Sequence, residues 1–129
     1  MEAYPASKLP DPQLAELVEY VLSLSAVRPK DLDAALAQKG ATVFRDLSCD
    51  NCHEVEAGRT ASAPVLLGRG SVEWIESVIK DSSQDHLFSN NAKMPKFGQK
   101  LTEDQIHQLA IMLYNKQPYA APAPLAAHK

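Results

Sequence analysis

The sequence predicts an all-α fold, and three observations lead to that prediction. Apolar residues recur at helical spacing in four segments of the chain, and several of these segments begin at a serine, threonine or aspartate. No segment shows the alternation of β-branched and polar residues that is typical of a strand. Loops that contain glycine and proline separate the segments, and the longest cover residues 63–70 and 81–98. Loops of that length in a small domain are usually functional or wrapped around something.

The first two helices are predicted for residues 10–24 and 31–46. Pro29 separates them, because the residue before a proline disfavours the helical conformation. Asp31 is the expected N-cap of the second helix. The apolar face of the first helix consists of Leu14, Leu17, Val18, Val21 and Leu22, and that of the second consists of Leu32, Leu36, Val43, Phe44 and Leu47.

The third and fourth helices are predicted for residues 71–80 and 102–116. Ser71 is the expected cap of the third helix. Thr102 is the expected cap of the fourth, and Gln105 completes the pattern of a capping box. The apolar stripes are Val72, Ile75 and Ile79 in the third helix, and Ile106, Leu109, Ala110 and Leu113 in the fourth.

Both cysteines of the chain stand in one pentapeptide, Cys49-Asp50-Asn51-Cys52-His53. The pattern C-x-x-C-H is typical of a c-type haem attachment site. Two thiols three positions apart on a tight turn can each form a thioether with one of the two haem vinyl groups. The imidazole that follows can bind the iron from one haem face. The pentapeptide therefore predicts one covalent haem c, attached at Cys49 and Cys52 and ligated by His53.

Three other interpretations of the pentapeptide agree less well with the sequence. A thioredoxin-like redox pair belongs near a βαβ pattern, and no strand is predicted. A structural zinc site needs four ligands, usually from two such pairs, whereas the remaining candidates are His86, His107 and His128. A disulfide between Cys49 and Cys52 would close a loop too short to stabilise the fold much.

Length, charge and composition restrict the class of protein. The 129 residues suggest one small domain with extensions. The net charge of −3 argues against a nucleic-acid partner. No apolar run is long enough to predict a membrane span, and the first residues lack the basic start and apolar run of a signal peptide. Residues 118–129 are rich in alanine and proline and are predicted to form a disordered tail.

The order of these features resembles the small monohaem cytochrome c domain family. The resemblance covers residues 31–116, most of the chain. Its second motif is Met94-Pro95-Lys96-Phe97, which looks like the M-P-x-F loop of the family. The resemblance implies that Met94 is the sixth ligand of the iron, through its thioether sulfur. His86 lies in the same loop and is the alternative ligand, since bis-histidine ligation is chemically reasonable.

The resemblance also implies three further haem contacts. Pro64 looks like the proline whose carbonyl accepts a hydrogen bond from the axial histidine, although Ala63 and Val65 stand where many members have glycine and asparagine. Trp74 is expected to point its indole N–H at a haem propionate. Phe97 is expected to help exclude water from the haem.

A glycine and an aromatic residue on the helix before the haem motif also match the family. Gly40 and Phe44 look like its G-x-x-x-F/Y pattern, in which the glycine allows the last helix to approach closely. Leu109 and Tyr114 are the expected partners of this pair on the last helix.

The resemblance implies single-electron transfer, because a six-coordinate His/Met haem has no open position for a substrate. The domain would be a carrier or part of a respiratory electron-transfer chain, and not an enzyme. Expected partners are redox proteins, with a membrane oxidase or a quinol-oxidising complex as candidates. The expected location is the periplasm or another extracytoplasmic space, with an export signal or membrane anchor removed. The alternative is a five-coordinate haem domain that binds a small gas or peroxide.

Three regions are expected along the chain: an N-terminal helical extension (1–30), a cytochrome c domain (31–117) and the tail (118–129). The expected fold is a cytochrome c-like helical fold wrapped around one haem, with an extra N-terminal helix. The extension also resembles a closing helix, because the stretch from Leu9 to Leu17 matches that from Leu101 to Leu109 at an offset of 92 residues. It is therefore interpreted either as the closing helix of a preceding cytochrome c domain or as an unrelated amphipathic helix.

Overall fold

The computed structural model describes residues 4–55 and 63–117, and the regular secondary structure within them is entirely helical. The all-α prediction is therefore confirmed for that part of the chain. The predicted tail at 118–129 lies outside the described residues. The helices are α1 (Asp11–Leu24), α2 (Ala34–Asp46), α3 (Val72–Asp81) and α4 (Glu103–Asn115), with short 3₁₀ turns at Cys49–Asn51 and Ser89–Asn91.

Side-chain caps start three of the four helices. Ser71 accepts a hydrogen bond from the backbone N–H of Trp74 at 3.0 Å and begins α3 as predicted. Thr102 and Gln105 form the predicted capping box of α4. The prediction that Asp31 caps α2 is wrong. Asp33 is the cap, because its carboxylate lies 2.9 Å from two of the free N–H groups in the first turn of the helix.

Helix α1 packs against α2 at a glycine contact. A Cβ atom at Gly40 would overlap the backbone carbonyl of Glu16 and lie 2.8 Å from the Cβ of Tyr20. The Tyr20 and Phe44 rings pack edge to face, with centroids 5.3 Å apart. The expectation that Gly40 and Phe44 pack against the last helix is therefore wrong. The N-terminal helix occupies that position instead.

Helix α4 packs against α3. Ile75, Ile79, Ile106 and Ala110 form the buried cluster between these helices, and Tyr114 lies at its edge. Tyr114 therefore lies against this cluster and not against α2, and Leu109 is 37% exposed. The expected pairing of these two residues with Gly40 and Phe44 is thus absent from the structure.

The two helix pairs are joined through a loop rather than through helix packing. Within the described residues, neither α1 nor α2 packs against α3 or α4. The loop at 67–70 bridges them: the N–H of Gly68 donates to the Leu24 carbonyl at 2.9 Å, and the Arg69 carbonyl accepts from the N–H of Ala26 at 3.0 Å and from the Ser25 hydroxyl at 2.9 Å. On the other side, the Gln117 side chain donates to the Gly70 carbonyl at 2.7 Å. A cavity of about 300 Å³ lies at this junction.

The backbone of the bridging loop depends on two glycines. Gly68 and Gly70 have φ values of 74° and 83°, in the left-handed region that favours glycine. This conformation turns the chain sharply between the two helix pairs. Within the part of the chain that the structure describes, no helix is long and apolar enough to cross a bilayer.

Candidate haem site

The cysteine pair lies on a tight turn at the end of α2. Ser48 has a φ of 56°, which ends the helix and starts the 3₁₀ turn at Cys49–Asn51. The N–H groups of Cys52 and His53 both donate to the Cys49 carbonyl, at 3.2 and 2.9 Å. Side chains three positions apart in a 3₁₀ turn lie one above the other, so two cysteines at this spacing are suited to reach one macrocycle.

Both cysteines are free thiols in the structure. Partial burial raises the pKa of the Cys49 thiol, and the neighbouring Asp50 carboxylate raises this pKa further. The Cys49 side chain is therefore a neutral thiol at neutral pH. Two cysteines at this spacing with no disulfide between them are what two thioether bonds to one macrocycle require.

The His53 ring is oriented by the Pro64 carbonyl, because its Nδ1 atom lies 3.0 Å from that oxygen. A carbonyl oxygen can only accept, so Nδ1 carries the proton and Nε2 carries the lone pair. This contact, which the resemblance implied, fixes the tautomer and makes the imidazole a better metal ligand.

Three backbone hydrogen bonds hold the segment around Pro64 in place. The N–H of Ala63 donates to the Cys52 carbonyl at 3.2 Å, and that of Leu66 donates to the Glu54 carbonyl at 3.1 Å. The N–H of Val65 donates to the His86 carbonyl at 3.1 Å. The carbonyl that orients His53 is therefore anchored to the cysteine turn on one side and to the 81–98 loop on the other.

The loop that carries Met94 is anchored to the C-terminal end of α3. The hydroxyl of Ser82, a residue only 2% exposed, donates to the Met94 carbonyl at 3.4 Å. Lys96 forms an ion pair with Asp81 at 2.8 Å, and the N–H of Phe97 donates to the Ile79 carbonyl at 3.2 Å. The Met94 side chain itself is 39% exposed. The backbone is thus fixed from the Met94 carbonyl to Phe97, and the Met94 side chain remains accessible.

The other predicted site residues lie around this loop and the junction. Phe97 packs at the edge of the α3–α4 cluster, and the Trp74 ring packs edge to face on Phe88 with centroids 6.2 Å apart. The guanidinium of Arg69 lies 5.5 Å from the centroid of the Trp74 ring. His86 is exposed, and its carbonyl holds Val65 as described above.

Sequence reasoning missed two residues of this region. The guanidinium of Arg69 packs on the Trp74 ring, and the Arg69 carbonyl accepts a hydrogen bond that links the helix pairs. A single arginine between two glycines does not predict either role. Ser82 lies in a polar stretch, where a buried serine is not expected. The two glycines that flank Arg69, Gly68 and Gly70, are the sequence feature that indicates an unusual turn at this position.

The side chains that could bind a ligand at this site fit a covalent haem better than a metal ion held by protein side chains alone. Two cysteines that form no disulfide are followed by an imidazole whose Nδ1 is held by the Pro64 carbonyl, which leaves Nε2 as the nitrogen for a metal. No group of three or more His, Cys, Asp or Glu side chains in the described part of the chain could hold a metal ion. Helices as the regular secondary structure of residues 4–55 and 63–117, with this set of groups after the second helix, define a small c-type cytochrome domain.

The comparison with known families agrees with that class. The family described as cytochrome c oxidase, cbb3-type, subunit III matches residues 35–111. The chain belongs to this family. Membership implies a covalently bound haem c and accounts for the resemblance to small cytochrome c domains.

One curated relative is similar to this chain over a longer stretch than the family match. The cbb3-type cytochrome c oxidase subunit CcoP of Cereibacter sphaeroides is 30% identical over 105 residues, which cover 79% of this chain and 34% of that protein. The chain therefore spans about a third of the length of the relative. No solved structure matches this chain with significance.

Proposed function

We propose that this domain transfers single electrons within a respiratory oxidase through a haem ligated by His53 and Met94. A haem c supplies an iron that changes between ferric and ferrous states. The observation that carries the proposal is the contact between His53 Nδ1 and the Pro64 carbonyl at 3.0 Å, directly after the turn that holds Cys49 and Cys52. These residues would attach the haem at Cys49 and Cys52 and hold the proximal imidazole in one orientation.

Met94 is the residue best suited to the opposite face. Its side chain is exposed on a loop whose backbone is held at the Met94 carbonyl by the Ser82 hydroxyl and at the N–H of Phe97 by the Ile79 carbonyl. Such anchoring lowers the conformational entropy that a ligand loses when it binds. Thioether ligation favours the ferrous state and raises the reduction potential relative to a second imidazole. With both faces occupied, the domain would pass electrons without transforming a substrate itself.

The test is the optical spectrum and the midpoint potential of the oxidised holoprotein. We expect the red-region absorbance band that marks methionine–iron ligation in this class of protein. Met94→Ala should abolish the band and lower the potential, whereas His86→Ala should leave both unchanged. A band that survives Met94→Ala would contradict Met94 as the ligand. A wild-type haem that lacks the band and binds small gases would instead indicate a five-coordinate centre.

The similarity to the CcoP subunit supports a partner and a location for this domain, and both are parts of the same proposal. The relative is a subunit of a cbb3-type oxidase, and this chain corresponds to about a third of it. We place the domain on the extracytoplasmic side of a membrane oxidase, where it would donate electrons within that complex. Helix α1 would then be the closing helix of a preceding haem domain, residues 31–117 the second domain and residues 118–129 a tail. Reduction kinetics of the purified complex, with and without Cys49 and Cys52, would test this assignment.

A further inference from the structure

The loop that carries Met94 caps the C-terminal end of α3. The carbonyls of Ile79 and Lys80 accept hydrogen bonds from the N–H groups of Phe97 and Gly98, at 3.2 and 3.1 Å. Both carbonyls belong to the last turn of α3, where the helix itself has no further N–H to offer them. The chain that follows Met94 is therefore held against the end of the helix by its backbone.

The chain before Pro95 depends on a side chain instead. Pro95 has no N–H, and within the described residues the N–H groups of Lys93 and Met94 donate no hydrogen bond. The Met94 carbonyl accepts from the Ser82 hydroxyl at 3.4 Å. Pro95 restricts the conformation of Met94 to the extended region, but it does not fix where Met94 lies relative to α3. The Ser82 hydroxyl is the group that does so.

Burial separates this contact from the neighbouring ion pair. The side chains of Lys96 and Asp81 are 66% and 30% exposed, and an ion pair at such a surface contributes little and is screened by salt. Ser82 is only 2% exposed. Water does not readily replace a hydroxyl at so buried a position, so the loss of its hydrogen bond is not compensated. Among the side chains that hold the loop, Ser82 should therefore have the largest effect.

We propose that Ser82 is a positioning residue whose hydroxyl keeps Met94 on the iron and thereby keeps external ligands off it. This inference rests on the ligation by Met94 proposed above. The Ser82 hydrogen bond is made only while the Met94 backbone lies against α3, so it favours the closed loop over an open one. In the open loop the sixth position of the iron is available to a small molecule. The affinity for such a molecule therefore reports the fraction of open loops.

The strength of one hydrogen bond sets the size of the expected effect. The loss of an ordinary hydrogen bond changes an equilibrium roughly threefold to tenfold. The closed loop should still predominate in Ser82→Ala, so this variant should keep the red-region band of methionine ligation. Its dissociation constant for an external ligand should fall by the same factor of roughly three to ten.

Imidazole titration of the oxidised holoprotein, followed through the loss of the red-region band, tests the proposal. Imidazole replaces the thioether as a neutral donor of one electron pair, so the iron stays ferric. Ser82→Ala should bind imidazole about threefold to tenfold more tightly than wild type. Ser77→Ala is the matched control: the Ser77 hydroxyl also donates to a carbonyl, that of Glu73 at 2.9 Å, but within α3. Its affinity should equal that of wild type.

A second pair of variants isolates the hydroxyl group. Threonine and valine have nearly the same shape, so Ser82→Thr and Ser82→Val place the same bulk at the buried position. Ser82→Thr should bind imidazole about as wild type does, and Ser82→Val should bind it about threefold to tenfold more tightly than Ser82→Thr. This pair decides the question if the alanine variant does not retain haem. Circular dichroism of each variant shows whether the helices are retained.

The possible results distinguish this inference from the ligand assignment. If the band is present and imidazole affinity is the same with and without the hydroxyl at position 82, Met94 remains the ligand and the role of Ser82 is overturned. An equal gain of affinity in Ser77→Ala would overturn it as well, because α3 would then act as a whole. A wild-type protein without the band would overturn the ligation by Met94 and this inference with it.

Discussion

Asp81, the last residue of α3, ties the helix to the loop that carries Met94. Its carboxylate pairs with Lys96 at 2.8 Å and accepts hydrogen bonds from the backbone N–H and the hydroxyl of Ser83, at 3.0 and 2.5 Å. Lys96 is the main reason that the pKa of Asp81 falls from 3.8 to about 2, and the Ser83 hydroxyl adds to this effect. The ionised carboxylate therefore stabilises the folded chain.

The pH dependence of this contribution can be predicted at the level of the single residue. Because the folded-state pKa lies below the ordinary value of 3.8, the stabilisation is complete above about pH 4 and is lost as the pH falls through about 2. Asp81→Asn should therefore unfold more easily than wild type at neutral pH, and the difference should vanish towards pH 2. Denaturant unfolding of the two holoproteins at a series of pH values measures it.

A control comes from the first loop. Asp31 is exposed and its side chain makes no hydrogen bond within the described residues, so Asp31→Asn should show no such pH-dependent difference. A difference for Asp81→Asn that stays constant from neutral pH to about pH 2 would contradict the assigned pairing with Lys96.

Helix α2 provides a prediction about how two elements fit together. Gly40→Ala should destabilise the fold by about 1–3 kcal/mol, since the added methyl group overlaps the Glu16 carbonyl on α1. Helix propensity alone predicts the opposite sign, a gain of about 1 kcal/mol. Thermal or denaturant unfolding of the holoprotein distinguishes the two.

The control for this substitution lies on the same helix. Gln38 is exposed, so a comparison of Gln38→Gly with Gln38→Ala measures the propensity difference between glycine and alanine without a packing contact. The alanine variant should be the more stable of the two at this position. A Gly40→Ala variant that is stabilised to the same extent would contradict the close contact between α1 and α2.

Local features of the elements could be predicted from the sequence. Four helices were expected and are present, and the caps at Ser71 and Thr102 were placed correctly. A cap depends on a few neighbouring residues, so the pattern alone contains most of the necessary information. The second helix shows the limit of prediction from the sequence pattern. Asp31 and Asp33 have the same side chain, and only the backbone geometry decides which carboxylate reaches the free N–H groups.

Contacts between elements distant in sequence could not be predicted in the same way. An amphipathic stripe indicates that a face is buried but does not name the helix that buries it. Helices α1 and α4 carry similar patterns, and the partner of Gly40 was therefore assigned to the wrong one. At the candidate site, the cysteine turn and Pro64 were evident from spacing and resemblance. The position of Arg69 on Trp74 depends on the packing of the whole junction.

At the scale of the whole molecule, the haem is expected to hold the two helix pairs together. The pairs do not pack on each other among the described residues, and the largest side chains that are fully buried there are Leu87 and Ile106. A small core of this kind stabilises a fold poorly without a cofactor. The double variant Cys49→Ser/Cys52→Ser, isolated without haem, should therefore lose cooperative unfolding and part of its helical signal. Circular dichroism during thermal unfolding measures both quantities.

Single substitutions provide the comparison for haem removal. Cys52→Ser alone can retain one thioether and the His53 ligand, so its stability should lie between those of the wild type and the double variant. If the haem-free double variant unfolded as sharply as the holoprotein and at the same temperature, the helix pairs would be held together by protein contacts alone.

The separation into two helix pairs also has a kinetic consequence. Helix α1 meets α2, and α3 meets α4, so the helix contacts link segments that are close in the chain, and such low contact order is associated with rapid folding. We therefore expect two slow steps in folding. One is the closure of the loop around Arg69 over both helix pairs, and the other is the attachment of the haem. A nascent chain of this kind would present its cysteine turn on a preformed α1–α2 hairpin. The attachment reaction would then select a partly folded substrate rather than an unstructured peptide.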